Sequence, residues 1–144
     1  MEIFLTIISG VLVFILSQYI LEFILKPLIK YKQVIAKIDN KLKFYANIIT
    51  NPPPSSGSSD DYIIAQDDYT IAKKEIRDLS CDLESTYKSL LIFKPNKKTI
   101  AKVVKDLIWL SNVIGQRDKN INLPIKAAEK IDDIRKSLNI EELS

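Results

Sequence analysis

An all-α chain, with one N-terminal transmembrane helix followed by a small cytoplasmic helical bundle of about four helices, is what the sequence predicts. Three observations point there: an apolar run at the N-terminus, a 3,4 spacing of apolar residues that recurs in later segments, and no sustained strand-like alternation. The 144 residues are two materials joined, since 18 of the first 25 are hydrophobic against 49 of the remaining 119.

The transmembrane helix is expected over residues 1–25. Between Ile3 and Leu25 the only ionisable side chain is Glu22, and these 23 residues span about 34 Å as a helix, enough for a hydrocarbon core of about 30 Å. A cleavable signal peptide would carry positive charge before its apolar run and a small-residue cleavage site after it. Here Met1 and Glu2 precede the run and Lys26-Pro27 follow it. A core helix this long would need a far larger domain around it.

Residues 26–43 carry Lys26, Lys30, Lys32, Lys37, Lys41 and Lys43 against one acid, Asp39. The positive-inside bias places the N-terminus outside and the body in the cytoplasm, at the inner (cytoplasmic) membrane. The lone thiol, Cys81, fits that reducing compartment. Lys26, Lys30, Lys32 and Lys37 are the candidate contacts to anionic headgroups of the lipid bilayer, each worth about 1 kcal/mol near the surface.

A basic juxtamembrane amphipathic helix follows over 26–50, with its stripe at Leu28, Tyr31, Ile35, Ile38, Leu42, Tyr45 and Ile49. Pro27 is the one expected interruption; if the junction stays helical, Ile3 to Ile49 makes a rod of about 70 Å. Residues 51–59, with three prolines, four serines and Gly57, form the linker. The bundle occupies 60–144 and packs with 28–50. Asp60 and Asp61 are placed to cap its first helix, whose stripe runs Tyr62, Ala65, Tyr69, Ala72, Ile76, Leu79, Leu83, Tyr87, Leu90. The next helix is expected from Lys97 to Ile114, with Asn96 as N-cap and Gly115 as C-terminal cap. The last begins near Pro124 and runs through Ala128, Ile131 and Ile134 to Leu138. Short connections favour antiparallel packing within one chain, while the 3,4 stripes also fit a coiled coil between copies.

No histidine, one cysteine and three glycines exclude histidine base catalysis, Cys-His nucleophiles, zinc-finger ligand sets and phosphate-cradling loops. No catalytic residue, metal site or cofactor is assigned, and an enzyme is not expected. Two features remain. Thr6, Ser9, Gly10, Val13 and Ser17 share a face of the membrane helix within about a 100° arc. That face suits helix packing in a homo-oligomer, or the lining of a pore, unless the hydroxyls simply bond to their own backbone.

The second feature is an acid-free stretch between Glu84 and Asp106 that holds Lys88, Lys94, Lys97, Lys98, Lys102 and Lys105. Lys94, Lys97, Lys98, Lys102 and Lys105 are a candidate site for an anionic nucleotide or oligonucleotide signal, or else a solvated face. No aromatic residue interleaves as a stacking platform. Asp60, Asp61, Asp67 and Asp68 read as helix-start charge without calcium-loop spacing, and Cys81 as a small, partly buried side chain.

The strings Phe44-Tyr45-Ala46-Asn47, Asn51-Pro52 and Leu107-Ile108-Trp109-Leu110-Ser111-Asn112 resemble an uncharacterised group of small bacterial single-span proteins. The resemblance implies an N-terminal membrane helix, a similar helix after it and a small helical body, with no activity attached. The expected function is a membrane-anchored, self-associating effector that alters membrane permeability on a cytoplasmic signal. In outline it resembles the short membrane effectors of bacterial anti-phage defence. The alternative is a non-channel adaptor tethering a cytoplasmic protein partner.

Overall fold

The computed structural model describes residues 1–51, 59–116 and 122–140, and no strand occurs among them. The elements are α1 (Glu2–Ile20), a π turn (Leu21–Leu25), α2 (Lys26–Phe44), α3 (Ala46–Thr50), α4 (Ser59–Ser89), α5 (Lys97–Val113) and α6 (Leu123–Ser137). The expected linker lies outside the described residues except at its ends. So do the side chains of Asp60, Asp61, Tyr62 and Ala65, whose expected capping and packing roles fall there too.

Helix α1 buries no residue, and the helix is unbroken from Glu2 to Phe44, 43 residues long and apolar enough near the N-terminus to cross a membrane. At 1.5 Å per residue it extends about 64 Å. Pro27 does not break it. Proline has no N–H to donate and its ring crowds the carbonyl four residues back, so an ordinary helical turn would be strained there. The chain instead widens just before it: Lys26 N–H donates to Leu21 O, a five-residue step. The rod ends earlier than the expected Ile49, at Tyr45 (φ −93°, ψ 5°), after which α3 makes one further short turn.

Helices α2, α4, α5 and α6 form an antiparallel bundle in chain order, held by a core that includes Ile38, Leu42, Ile76, Leu83, Val103, Leu107, Leu110 and Ile134. These residues recur at three- and four-residue intervals, so each helix presents one apolar stripe inward. The expected stripes are largely the observed ones, with local rotations. On α2, Val34 is buried and Ile35 only half-buried. On α6, Ala127 is buried and Ala128 exposed, which corrects the expected register by one residue. Cys81 is exposed and not partly buried, because it lies midway between Leu79 and Leu83 and so faces away from the stripe they define.

Helix ends are written locally. Asn96 Oδ1 accepts from Lys98 N–H at 2.9 Å and starts α5 as an N-cap. Gly115 takes φ +74° just after α5, a conformation that favours glycine, and a Cβ there would sit 3.4 Å from Tyr69 Cβ. Helix α6 closes with a paired bond pattern: Asn139 N–H donates to Lys136 O and Ile140 N–H to Arg135 O, with Asn139 at φ +52°. This is a Schellman ending, and half-buried Ile140 supplies its apolar contact with the core.

Candidate functional site

The pairing of α2 with α4 sets the geometry of the basic residues. Lys41 Nζ lies 2.7 Å from Glu75 and Lys37 Nζ lies 3.9 Å from Asp82. Moving back along α2 towards α1 therefore means moving forward along α4 towards its C-terminus. The end of α4, residues 90–96 and the start of α5 accordingly sit at the end of the bundle from which the apolar helix emerges. Eight residues beyond the Lys37–Asp82 pair on each helix, just past the end of α4, Leu90 comes about level with Ile29.

At that end a groove of about 500 Å³ runs between α4 and α5. Tyr87, Ile100, Ala101 and Val104 form its apolar surface, and Lys88, Lys94, Lys97, Lys105 and Glu84 line it as charged groups. Lys94 Nζ stands 6.0 Å from the Tyr87 ring centroid, and Glu84 pairs with Lys88 at 2.6 Å. Three of the five lysines named from sequence, Lys94, Lys97 and Lys105, thus line one groove. Lys98 does not line it. Lys102 turns to α6, where its Nζ donates to Asp133 Oδ2 at 3.0 Å and holds the Asp133 carboxyl below its ordinary range. Lys88, left out of the sequence-derived set, belongs with the groove because α4 carries it alongside Lys97 and Lys105.

Beside the groove, Leu91, Ile92 and Phe93 are 58%, 43% and 75% exposed. Phe93 has φ +55°, a region that an aromatic side chain rarely adopts and that costs about 1–3 kcal/mol. Buried Leu90 anchors the segment to the core, while the three residues after it point apolar surface into solvent.

Of the juxtamembrane lysines, Lys30 and Lys32 are exposed, and Lys26 pairs with Glu22 one turn away. Lys37, exposed like them, lies about 16 Å further along the helix than Lys26, with its Nζ 3.9 Å from Asp82. On α1, Thr6 Oγ1 donates to Glu2 O at 3.0 Å, Ser9 Oγ to Thr6 O at 2.8 Å and Ser17 Oγ to Val13 O at 2.7 Å. Each hydroxyl on this face is therefore satisfied by its own helix. Gly10 has nothing within 4 Å of a built Cβ, which leaves its side of α1 open to close approach.

A second polar cluster sits deeper in the bundle. Lys130 Nζ donates to Asp106 Oδ1 at 2.7 Å, while Asp106 Oδ2 is buried with no hydrogen-bond partner among the described residues. Burial hid Asp106 from sequence reading, since it follows Lys105 in what looks like an ordinary charged face. A shallow cavity of about 360 Å³ near it is lined by Trp109, Lys126, Glu129, Lys130 and Asp133, with no apolar floor beyond Trp109. Among the described residues, no group of three or more His, Cys, Asp or Glu is arranged to hold a metal ion. Comparison of the chain with protein-family models, with curated proteins and with solved structures finds no match.

Proposed function

We propose that this chain is a non-enzymatic, single-pass effector of the inner membrane, with its N-terminus outside and its bundle in the cytoplasm. It self-associates through α1 and converts a cytoplasmic signal into a change of membrane permeability, as in defence against phage. The observation that carries this reading is the unbroken helix from Glu2 to Phe44. The same rod that holds bundle residues Ile38 and Leu42 in the core is the exposed apolar helix at its other end. A rotation or shift of α2 within the bundle is transmitted directly along it, because no loop intervenes to absorb the motion.

A second reading, a non-channel adaptor that tethers a cytoplasmic partner, is favoured by one observation. The hydroxyls of Thr6, Ser9 and Ser17 donate to their own backbone, so none of these donors needs a partner helix or water. Replacing residues 3–25 with an unrelated apolar helix of equal length separates the two. Under the effector reading, expression of the intact chain slows growth and admits a membrane-impermeant dye, and the replacement abolishes both effects. A replaced chain that acts as well as the original supports the adaptor.

A further inference from the structure

We infer that the tip of the α4–α5 connection docks on the surface of the bilayer that α1 crosses. Leu91, Ile92 and Phe93 enter the interfacial layer, and Lys88, Lys94 and Lys97 hold the headgroups of anionic phospholipids. This rests on the membrane placement of α1 proposed above, and on nothing about permeability.

The argument begins with height along the rod. Lys37 faces Asp82, so in this antiparallel register residues 90–93, just past the end of α4, come within about one helical turn of the level of Pro27. Leu25 ends the apolar run there, and Ile24, Pro27 and Leu28 are half-buried while most of α1 is bare. A bilayer around residues 3–25 therefore has its inner face beside this loop. Three consecutive large apolar side chains, exposed at that height, have an apolar phase available to them without any further partner.

Charge selects the same occupant. Lys94, Lys97 and Lys98 follow the apolar triplet, Lys88 precedes it, and Lys30 and Lys32 are exposed on the neighbouring helix. An apolar tip ringed by lysines is the composition of a surface that seats on an anionic interface. A second copy of the chain fits poorly, since it would bring one lysine ring against another. The groove behind the tip, with lysines at its rim and Tyr87, Ile100 and Val104 at its floor, has room for a headgroup and the first part of an acyl chain. Two facts first read separately, the juxtamembrane lysines and the lysine block more than 50 residues later, thus form one basic surface around the point where the rod meets the membrane.

The test uses the full chain in lipid nanodiscs, with exposed Cys81 replaced (Cys81→Ser) and single nitroxide labels introduced at Leu91→Cys, Phe93→Cys and, as the anchor control, Leu12→Cys. All of these positions are exposed, so folding is undisturbed. In discs containing phosphatidylglycerol, labels at 91 and 93 should relax with lipid-soluble oxygen in preference to a water-soluble nickel chelate, as the label at 12 does. In discs of phosphatidylcholine alone the preference should fall, and each of Lys88→Gln, Lys94→Gln and Lys97→Gln should lower the docked population's equilibrium constant about fivefold. Labels at 91 and 93 that meet the chelate while the label at 12 meets oxygen overturn the docking and leave the anchor standing. Labels shielded from both relaxants indicate burial against protein, the bundle itself or a second copy, and also overturn it. A label at 12 that meets the chelate overturns anchor and docking together.

Discussion

Arg135 Nε donates to Asp39 Oδ1 at 3.1 Å, joining residues 96 positions apart, and both side chains are only 15% exposed. The other oxygen of Asp39 accepts from Lys43 at 2.7 Å. Asp39, the one acid of the basic stretch, is thus where the last helix is fastened to the rod.

Removing that carboxylate should therefore matter more than removing a surface charge. Asp39→Ala is expected to cost about 1–3 kcal/mol, because it leaves Arg135 half-buried and without this partner. Lys88→Ala, which breaks the exposed pair with Glu84, is expected to stay within about 0.5 kcal/mol. Urea unfolding of the full chain in detergent, followed by far-ultraviolet dichroism, compares them. Equal losses would contradict the assignment.

The Asp106–Lys130 pair invites a different test, because one carboxylate oxygen is buried with no partner among the described residues. Lys130→Met should destabilise by about 3 kcal/mol, leaving a buried, uncompensated charge. Adding Asp106→Leu to the same chain should recover most of that loss, since two apolar side chains need no desolvated ion pair. A double variant no more stable than the single one would contradict this, and one several kcal/mol below the original chain would show that the pair contributes net stability.

Acid should loosen the contact between α2 and α4. Hydrogen bonds from Lys41 and from the Tyr45 hydroxyl hold the Glu75 carboxyl below its ordinary value of 4.5. A carboxyl with a lowered folded pKa contributes stability that is present above the unfolded value and is lost as pH falls through the folded one. Stability should thus decline below about pH 4.5, and Glu75→Gln should flatten that limb of the curve. At the other extreme, burial and then the Glu75 bond push Tyr45 up to about 12, so its contribution is present below pH 10 and is lost as pH rises towards 12. Tyr45→Phe should blunt the alkaline loss, with midpoints of thermal unfolding across pH as the readout.

Core and tip residues of similar type should diverge. Leu107 is fully buried, and Leu107→Ala should cost about 2–5 kcal/mol through lost transfer energy and the cavity left behind. Leu91→Ala in detergent should lie within about 0.5 kcal/mol, because its side chain is more than half exposed and lies outside the buried core. A large loss at Leu91 would mean that the loop is a structural clamp.

Much of this architecture is readable along the chain because its causes are local. Asn96 caps α5 by a bond to the amide two residues on, Gly115 ends it by taking a positive φ, and the stripes follow from a 3.6-residue turn. Where sequence reading slipped, it did so by one residue or one face. Val34 replaced Ile35 and Ala127 replaced Ala128, since neighbouring apolar residues compete for the same wall and the partner helix settles which one is covered. Cys81, next to Leu79 and Leu83 in sequence, is instead turned to the opposite face by the helix itself.

The charged residues divide differently. That lysines abound and acids are missing between Glu84 and Asp106 is plain from composition, and so is the apolar run that α1 becomes. Which lysines act together is a matter of distance in space. Lys102 is taken by Asp133 and Lys37 faces Asp82, whereas Lys88 joins Lys94, Lys97 and Lys105 across a groove between two helices. Periodicity fixes the face a side chain occupies on its own helix. The antiparallel packing of α2 against α4 fixes its height and its neighbours, and through them sets Leu91, Ile92 and Phe93 at the level where the apolar helix begins.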